Sequence, residues 1–340
     1  MIKKKSILFR ISGGRAKNKE LGLGHIYRAV NLSSRLSKHN IFFLLEDYGG
    51  SLNVLKNHSK NKIHTLDAKT SLDSDIKKTL KLLNKKNIDL LIVDKFDKIT
   101  KQYVSEMKKN VKTIVVSDTD KIDYNADLVV NGFVGFKNSI FTNRFKTKCL
   151  LGPKYQILSK DYEKNNLHVK NSQNILVTFG GYDNQKLVEQ FCKQMIPYIE
   201  NLKIKIILGA ATKKSKKLSD LDLKFNNLSI VNTVLNLKNE IKNSRFGFCA
   251  GGITTYEFAL LHVPFVVICQ YEHQIKTARA WEKNKMALNL GFKNKFLAKK
   301  LDKLLLEISK NSTKFNSNNN FKIDGLGARR VSNYIESKIL

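Results

Sequence analysis

The stretch Phe246-Gly247-Phe248-Cys249-Ala250-Gly251-Gly252-Ile253-Thr254-Thr255-Tyr256-Glu257-Phe258-Ala259 decides the fold of this chain. Its apolar start predicts a short strand, its Gly-Gly pair a turn, and the residues after the pair the first turns of an amphipathic helix. The helix is expected to stop near Pro264, where another apolar strand begins. A strand, a loop, a helix and a second strand in this order form the repeating unit of a parallel α/β sheet.

The loop of this unit is predicted to hold an anion. Gly251 and Gly252 have no Cβ, so the backbone there can come close to a ligand. Thr254 and Thr255 are capping residues at a helix start, whose N–H groups and dipole suit a phosphate or diphosphate. Glu257, within the first turn, can accept hydrogen bonds from paired sugar hydroxyls. A Gly-Gly pair that serves only for packing is the alternative interpretation.

Outward from this unit, strands and helices alternate through the second half of the chain. We predict strands there at 174–179, 203–208, 228–231, 246–249 and 264–268. Further helices are expected at 184–198, 277–285, 297–309 and 327–337. The polar segment 165–174 separates this half from the first and is interpreted as an interdomain linker.

The first half repeats the alternation. Its predicted strands are 7–11, 40–45, 63–66, 89–94, 113–118 and, as the last one, 127–131. Its predicted helices are 25–37, 52–57, 73–85 and 100–109. Nearly continuous Val, Ile and Leu strands between helices indicate parallel sheets covered on both faces. The expected fold class is therefore α/β, with two Rossmann-like domains (1–164 and 165–340) that face a cleft and a C-terminal helix that closes the chain.

The composition is that of a globular protein with an excess of positive charge. The chain has 340 residues, 42% hydrophobic residues and a formal net charge of +32. Such a charge could indicate nucleic acid or an anionic membrane. Lysines, however, are spread over ordinary helix surfaces, and no single basic and aromatic block stands out. We therefore predict no nucleic-acid partner, attraction of anionic substrates, and at most weak peripheral association with a membrane.

The cysteines indicate a reducing compartment, and the apolar runs are too short for a membrane span. The four cysteines contain no C-x-x-C pair and lie in or beside apolar runs, as expected of buried thiols: Cys149, Cys192, Cys249 and Cys269. The apolar run at the N-terminus is broken at Arg10, and no segment approaches the roughly 20 apolar residues of a membrane span. The prediction is a cytoplasmic protein without a transmembrane segment, and a monomer.

The remaining titratable residues predict neither a metal site nor a cofactor. Four of the histidines have no metal-ligand spacing: His39, His58, His64 and His168. Asp94 and Asp118 each end a predicted strand. Either acid could be a helix cap or an active-site acid, and the pattern favours caps or structural roles.

A second glycine motif, Gly22-Leu23-Gly24-His25-Ile26-Tyr27-Arg28, precedes the first helix. Gly22 and Gly24 allow a tight approach, and His25 at the helix start can take a proton from water or from a hydroxyl. Arg28, one turn later, could stabilise a phosphate or order the loop. A polar cap is an equally good interpretation of His25. The spacing does not fit a dinucleotide fingerprint.

Several motifs occur together in a fixed order. They are G-x-G-H-x-x-R, Val93-Asp94, Asp127-Leu128-Val129-Val130-Asn131, Leu150-Leu151-Gly152-Pro153-Lys154-Tyr155, Phe179-Gly180-Gly181, the Gly-Gly-Ile-Thr-Thr-Tyr-Glu unit and Asp324-Gly325-Leu326-Gly327-Ala328-Arg329-Arg330-Val331. The set resembles the PseG/SpsG family, nucleotide-sugar hydrolases of the pseudaminic acid pathway and their spore-coat relatives. That family is similar in fold to MurG-type glycosyltransferases, which have the two-domain GT-B architecture.

The resemblance implies metal-independent, inverting hydrolysis of a UDP-linked deoxy-amino sugar, of the 2,4-diacetamido-2,4,6-trideoxyhexose type. It implies that His25 is the general base that activates water, and that Glu257 holds the ribose hydroxyls. The diphosphate would face four residues of the Gly-Gly unit: Gly251, Gly252, Thr254 and Thr255. Gly181 and Gln274 would border the same ligand. The implied setting is the biosynthesis of surface glycans or nonulosonic acids.

Two positions depart from the family pattern. Ser12 stands where the first strand usually ends in Asp, and Phe96 stands where a Tyr often follows the second acid. Both positions lie in the amino-terminal domain, which is predicted to face the sugar, so the sugar or the acceptor could differ from the family type. Two alternatives stay open: a GT-B glycosyltransferase that uses the same base, and a nucleotide-sugar-binding protein without catalysis.

Overall fold

The computed structural model describes residues 3–14, 22–68, 70–95, 100–163, 173–183, 186–210, 212–234, 236–292, 295–310 and 323–340, with the backbone alone at 295–297. The chain divides into two compact units. One comprises Met1–Lys160 together with Gly325–Leu340, and the other comprises Asp161–Asp324. Each unit is built on its own β-sheet.

The first unit has one sheet of eight strands. They are β1 (Ser6–Gly13), β2 (Asn40–Asp47), β3 (Lys62–Asp67), β4 (Leu90–Asp94), β5 (Lys112–Ser117), β6 (Leu128–Asn131), β7 (Ser139–Thr142) and β8 (Lys148–Leu151). Their order is β3-β2-β1-β4-β5-β6-β8-β7, and only β7 and β8 pair antiparallel. The strand order reverses between β1 and β4, and such a switch point leaves a crevice at the carboxyl ends of the strands.

Four helices of this unit cross over between its strands. They are α1 (Gly24–Arg35), α2 (Ser51–His58), α3 (Leu72–Lys86) and α4 (Thr100–Lys108). The sequence sets both ends of α3. The Ser71 hydroxyl accepts the Ser74 N–H at 3.3 Å, and Asp73 lies in the first turn, where the helix dipole favours an acid. Asn87, with φ 46°, takes the left-handed conformation that ends the helix.

The second unit has a six-stranded parallel sheet. Its strands are β9 (Asn174–Thr178), β10 (Lys203–Ile207), β11 (Leu228–Val231), β12 (Phe246–Cys249), β13 (Phe265–Cys269) and β14 (Ala287–Phe292), in the order β11-β10-β9-β12-β13-β14. Its helices are α5 (Leu187–Met195), α6 (Lys216–Lys224), α7 (Leu237–Lys242), α8 (Thr254–Leu260), α9 (His273–Lys283) and α10 (Lys295–Ser309). Within the described ranges, no helix is long and apolar enough to cross a membrane.

Each sheet has an apolar core of its own. In the first unit, Leu91 and Val93 of β4 pack in one cluster with Met107 of α4. In the second unit, Val177 of β9 packs in one cluster with Phe191 of α5. Fully burying one such side chain contributes about 1.5–3 kcal/mol, so these clusters dominate the stability of each sheet. All five residues of β4 are buried, which confirms the prediction of a parallel sheet covered on both faces.

The C-terminal helix belongs to the first unit. Helix α11 (Gly327–Tyr334), followed by a π-helical turn at Ile335–Ile339, ends the chain. A Cβ on Gly327 would lie 2.0 Å from the Gln156 carbonyl oxygen, so only glycine permits this packing. Lys38 of the first unit pairs with Glu336 at 2.7 Å. The sequence-based division at 164 placed this helix in the second domain, whereas the structure divides the chain after Lys160 and returns the last residues to the first unit.

Some elements were not predicted from the sequence. Segment 127–131 is not the last strand of its sheet, because the short strands β7 and β8 follow it. Helix α6 was not predicted, because it buries only Leu218 and therefore has a weak apolar periodicity. Strand β14 is interrupted by Gly291 with φ 82°, next to a register shift in its pairing with β13. Local patterns are weak in each of these segments.

Candidate active site

Three side chains of the first unit meet at the carboxyl edge of its sheet. Asp94 is the last residue of β4, Asp118 follows β5, and His25 is the second residue of α1. Neighbouring parallel strands end at the same edge, which brings residues from distant positions together. The sequence favoured cap or structural roles for both acids. The structure instead places Asp94 against His25, and Asp118 against Arg28.

The closest contact in this cluster joins a histidine and a carboxylate. His25 Nδ1 lies 2.6 Å from Asp94 Oδ1, and the His25 side chain is 16% exposed while Asp94 is 2% exposed. Arg28 Nη2, which can only donate, lies 2.9 Å from the same nitrogen, but the carboxylate is closer and can only accept, so we assign the proton to Nδ1, which leaves Nε2 as the proton acceptor. A carboxylate that fixes the tautomer and orientation of a histidine is a recurring arrangement for general bases.

Arg28 is the cation at the centre of the cluster. It donates from Nε to Asp94 Oδ2 at 2.8 Å and from Nη2 to Asp94 Oδ1 at 2.6 Å, and its Nη1 pairs with the Asp118 carboxylate. Burial opposes the charge of Arg28, but Asp118 and Asp94 outweigh burial and raise its pKa. Burial likewise tends to raise the pKa of Asp94, yet Arg28 and His25 hold that pKa below its ordinary value. Arg28 therefore orders this edge and is not available to a phosphate.

A small pocket opens beside His25 within the first unit. Its volume is about 30 Å³, which suits a water molecule or one small group. The other residues that line it are mostly polar: Arg28, Lys95, Ser117, Asp118, Thr119, Lys121 and Tyr124, with Val115 and Val116. The pocket thus combines a base with several hydroxyl and charged groups.

A second buried ionic network lies behind this pocket. Arg10 of β1 donates to Asp75 from Nε at 3.0 Å and from Nη2 at 2.6 Å, and Nη2 also reaches Glu46 Oε2 at 2.6 Å. Lys95, which lines the pocket, donates to Asp75 Oδ2 at 3.0 Å. Burial tends to raise the pKa of Asp75, but Arg10 and Lys95 lower it overall. This network fixes Lys95, and with it the floor of the pocket.

The glycine loop before α1 has two described glycines. A Cβ on Gly22 would meet no atom of the described residues within 4 Å, so these residues do not require glycine there. Gly24 is the first residue of α1.

Of the two departures from the family pattern, Ser12 has a buried hydroxyl without a hydrogen-bond partner among the described residues. Phe96 lies outside the described residues.

In the second unit, three loops meet at the carboxyl edge of β9, β12 and β13. The Gln270 side chain donates to the Phe179 carbonyl, and the Gln274 side chain accepts the Gln270 N–H at 2.8 Å. These bonds tie the Gly180–Gly181 loop to the loop after β13. Gln274 also lies against Gly251, so the structure brings Gly181, Gly251 and Gln274 to one edge of the sheet.

The two glycines of the central loop have different surroundings. A Cβ on Gly251 would lie 2.8 Å from Gln274 Cβ, so glycine is needed there for packing. A Cβ on Gly252 would meet no atom of the described part of the chain within 4 Å. The packing alternative raised from the sequence therefore applies to Gly251. Gly252 borders open space that a ligand can occupy.

The two threonines also differ. Thr255 is fully buried, donates to the Gly252 carbonyl at 2.7 Å and accepts the Trp281 indole N–H at 2.9 Å. Its hydroxyl is used inside the protein and does not face the loop surface, contrary to the prediction. Thr254 is half-buried, and its hydroxyl interacts with the Glu257 carboxyl.

Glu257 is a partly buried acid without a cation partner in the described ion pairs. Burial is the main effect on this group and raises the pKa of Glu257 to about 7, and the Tyr162 and Thr254 hydroxyls offset burial only in part. The Tyr162 hydroxyl is close enough to affect Glu257, although the pair does not meet hydrogen-bond geometry. Burial, followed by Glu257, raises the pKa of Tyr162 well above its usual value. No local sequence signal pointed to Tyr162.

The thiols and the remaining acids do not add a reactive group. All four cysteines are free and buried. Burial raises the pKa of Cys149 to about 11 and that of Cys192 and Cys269 to about 12, so these thiols stay protonated at neutral pH. Over the part of the chain that the structure describes, no group of three or more His, Cys, Asp or Glu side chains could hold a metal ion.

The two α/β units with parallel sheets define the class: the chain has the GT-B glycosyltransferase fold. MurG of Acinetobacter baumannii superposes with a TM-score of 0.64 at 14% identity, over 98% of this chain and 99% of that one. The spinosyn rhamnosyltransferase SpnG, solved with thymidine diphosphate, gives 0.58 at 11% identity over 96% and 95% of the two chains. LpCGTa, solved with UDP, gives 0.60 at 10% identity over 98% and 99%.

Sequence similarity narrows the class. The chain is 24% identical to the spore coat polysaccharide biosynthesis protein SpsG of Bacillus subtilis, over 80% of each protein. It is 27% identical to the uncharacterized protein MJ1062 of Methanocaldococcus jannaschii over 75% of this chain, which spans only 54% of that protein. No family model matches the chain. The similarity to SpsG confirms the predicted resemblance to the PseG/SpsG family.

Proposed function

We propose that the chain hydrolyses a UDP-linked deoxy-amino sugar, of the 2,4-diacetamido-2,4,6-trideoxyhexose type, to the free sugar and UDP. The reaction would serve the biosynthesis of a surface glycan or nonulosonic acid. Similarity to SpsG, a polysaccharide biosynthesis protein, supports the setting. Structural similarity to proteins solved with UDP and thymidine diphosphate supports a nucleotide-linked substrate.

The observation that carries this proposal is the 2.6 Å contact between His25 Nδ1 and Asp94. His25 Nε2 takes a proton from water while the water oxygen bonds to the anomeric carbon. The bond from that carbon to the diphosphate oxygen breaks on the opposite face, and UDP leaves with the electron pair. Attack opposite the leaving group inverts the anomeric centre. Asp94 stabilises the imidazolium that forms, so the step needs no metal.

In this proposal the second unit holds the nucleotide. Gly252 and the half-buried Thr254 face the diphosphate, and Gly181 and Gln274 border it, since all four lie at one edge of that sheet. Glu257 accepts the ribose hydroxyls. In the first unit, glycine at position 22 leaves space among the described residues for a ligand group, since a Cβ there would meet none of their atoms within 4 Å. Gly251, Thr255, Gly24 and Arg28 shape the site without touching the ligand.

Two alternatives fit the same residues. In a glycosyltransferase, His25 would deprotonate a hydroxyl of a sugar or lipid acceptor instead of water, and the structural similarity to the rhamnosyltransferase SpnG favours this candidate. In a binding protein without catalysis, the nucleotide sugar would be held and not cleaved. The ordered contact between a base and an acid favours an enzyme over the binding protein.

UDP release from a panel of UDP-linked diacetamido-trideoxy sugars, without an acceptor, tests the proposal. We expect release by the wild type and a loss of at least about 10³-fold in His25→Ala. The control is His58→Ala, which removes an exposed histidine from α2 and should leave the rate unchanged. UDP binding without release would reject hydrolysis and favour transfer. Release that His25→Ala retains would reject His25 as the base.

We further propose that the protein is cytoplasmic and monomeric. Four free, buried thiols fit a reducing compartment, where nucleotide sugars can be used directly. Light scattering of the purified chain would test the monomer.

A further inference from the structure

One hairpin of the first unit exposes apolar side chains on both of its faces. Strands β7 and β8 are joined by a short turn at 143–147, and we name residues 137–148 the apolar–basic hairpin. Ile140 is 58% exposed, Phe141 49% and Phe145 41%. These three account for half of the six large hydrophobic side chains that the described surface exposes most. Exposed apolar side chains that cluster in this way are typical of an interaction surface, whereas scattered single ones are not.

The same hairpin is strongly basic. Lys137, Arg144, Lys146 and Lys148 are all exposed. The sequence contains no Asp or Glu between Asp127 and Asp161. Asp123, from the preceding loop, pairs with Arg144 at 3.6 Å, and the other three cations extend the positive surface beyond that pair. The hairpin therefore joins apolar side chains and positive charge within twelve residues.

We propose that the apolar–basic hairpin docks this protein on the surface of an anionic phospholipid bilayer. Phenylalanine and isoleucine can enter the boundary between headgroups and acyl chains, while lysine and arginine remain with the anionic headgroups. Juxtamembrane cations are each attracted to such a surface. This inference goes beyond the hydrolysis proposed above and does not depend on it.

The geometry favours a bilayer over a flat protein partner. Ile140 and Phe141 are consecutive residues of a strand, so their side chains point to opposite faces of the sheet. A protein surface that covers one face leaves the other apolar side chain in water, whereas an interface that surrounds the tip covers both. Pairing of β7 with a second copy is disfavoured, because the strand has only four residues and is flanked by cations.

The hairpin is held rigidly before any partner binds. The Asn143 side chain, which is buried, donates to the carbonyls of Ile122 at 2.8 Å and Tyr124 at 3.0 Å, and accepts the Phe145 N–H at 2.9 Å. Thr147 donates to the Ala126 carbonyl at 2.9 Å. The turn is thereby fixed to the body of the first unit, and docking would cost little conformational entropy.

Co-sedimentation of the full chain with vesicles tests the proposal. Vesicles of phosphatidylcholine are compared with vesicles that contain phosphatidylglycerol at the same total lipid. We expect binding only to the anionic vesicles. An apolar variant, Ile140→Ser with Phe141→Ser and Phe145→Ser, should lower the partition coefficient by at least about tenfold.

A charge variant has a matched control elsewhere on the unit. Replacing Arg144, Lys146 and Lys148 by Gln should lower binding to anionic vesicles by about 100-fold, since each cation near the surface contributes about fivefold. Replacing Lys77, Lys78 and Lys81 of α3 by Gln removes the same charge from another exposed surface. This control should change binding by no more than about twofold, because charges far from the lipid are screened.

A fluorescent variant reports insertion directly. The chain has one tryptophan, Trp281, which is fully buried and gives a constant background. In Phe145→Trp, the added indole should shift to the blue with anionic vesicles and be quenched by brominated lipid.

Three outcomes would overturn the proposal. They are equal losses in the charge variant and the Lys77 control, unchanged binding in the apolar variant, and no spectral shift in Phe145→Trp. Self-association of the wild type without lipid, abolished in the apolar variant, would assign the hairpin to a second copy. Thermal melting of every variant checks that the fold is kept.

Discussion

Each unit has a carboxyl group of interest near the carboxyl edge of its sheet, Asp94 in the first and Glu257 in the second, yet the two groups behave in opposite ways. Asp94 in the first unit is buried against Arg28 and His25, and its pKa is lowered. Glu257 in the second unit has hydroxyl neighbours, and burial raises its pKa to about 7. The difference lies in the partner and not in the degree of burial, because a nearby cation outweighs desolvation and a hydroxyl does not.

This contrast separates two tasks. A carboxylate held by a cation stays charged at all physiological pH values and keeps one orientation, which suits a group that aligns a base. A carboxyl group that titrates near neutrality is poorly satisfied in the unliganded protein, and it gains most when hydroxyl donors of a ligand arrive. The first unit therefore carries a fixed ionic framework, and the second carries the group that the proposed ligand would complete.

Removing the charge of Asp94 tests the first half of the contrast. In Asp94→Asn, we expect the rate of UDP release to fall by about 10³- to 10⁴-fold, because the amide no longer fixes the proton on His25 Nδ1. The control, Asp118→Asn, leaves the contact between His25 and Asp94 in place and should cost less than about tenfold. Steady-state kinetics and UDP calorimetry measure both variants, and UDP affinity should not change. A rate for Asp94→Asn within tenfold of wild type would reduce Asp94 to a structural residue.

Removing the cation tests the same cluster through stability. Arg28→Met leaves two carboxylates without their partner, and we expect it to lower the free energy of unfolding by about 3–5 kcal/mol. Adding Asp118→Asn to this variant should restore part of the loss, because one of the two carboxylates is then neutral. Urea denaturation followed by circular dichroism measures both. A loss below about 1 kcal/mol would mean that water replaces Arg28 without cost.

The pH dependence of UDP binding tests the second half of the contrast. In the proposed site Glu257 accepts ribose hydroxyls most strongly when ionised, so affinity should fall as pH drops through about 7 and be up to about tenfold weaker at pH 6 than at pH 8. Glu257→Gln should bind more weakly at pH 8 and lose this dependence, while the titration of the UDP phosphate remains in both proteins. Calorimetry at several pH values measures the difference, and parallel curves for the two proteins would contradict the assignment.

The same group links pH to the stability of the unliganded protein. The native pKa of Glu257 lies above its ordinary value of 4.5, so the native state binds more protons between 4.5 and about 7. Its contribution to stability is therefore lost as pH rises through that window. Glu257→Gln should flatten the slope there, which thermal melting across the window would detect.

Much of the fold could be predicted, because parallel strands buried on both faces give continuous apolar runs such as Leu90–Asp94. His25 could be singled out as a candidate from a local motif. The role of Arg28 could not, since its partners Asp94 and Asp118 lie 66 and 90 positions away and meet it only through the strand order. From its position in the sequence, Thr255 was expected to cap the helix at the protein surface. Its hydroxyl instead accepts the Trp281 indole N–H inside the protein, and this contact is visible only in the structure.

The apolar–basic hairpin shows a different limit. Its three apolar residues occur as an adjacent pair and a single residue with polar residues between them, and they follow no long periodic pattern. Against a background of lysine in every part of the sequence, they formed no visible block. Only the exposure of these side chains in the folded sheet distinguishes them from core residues.

The return of α11 to the first unit has a consequence for synthesis on the ribosome. The residues that complete this unit, with Gly327 set against the Gln156 backbone, are made only after the whole second unit. At roughly 5–20 residues per second, the nascent first unit waits for about 10–35 s after Lys160 is added, while the second unit can already fold. A chain truncated before Gly325 would thus keep the second unit complete and leave the first unit open to proteases.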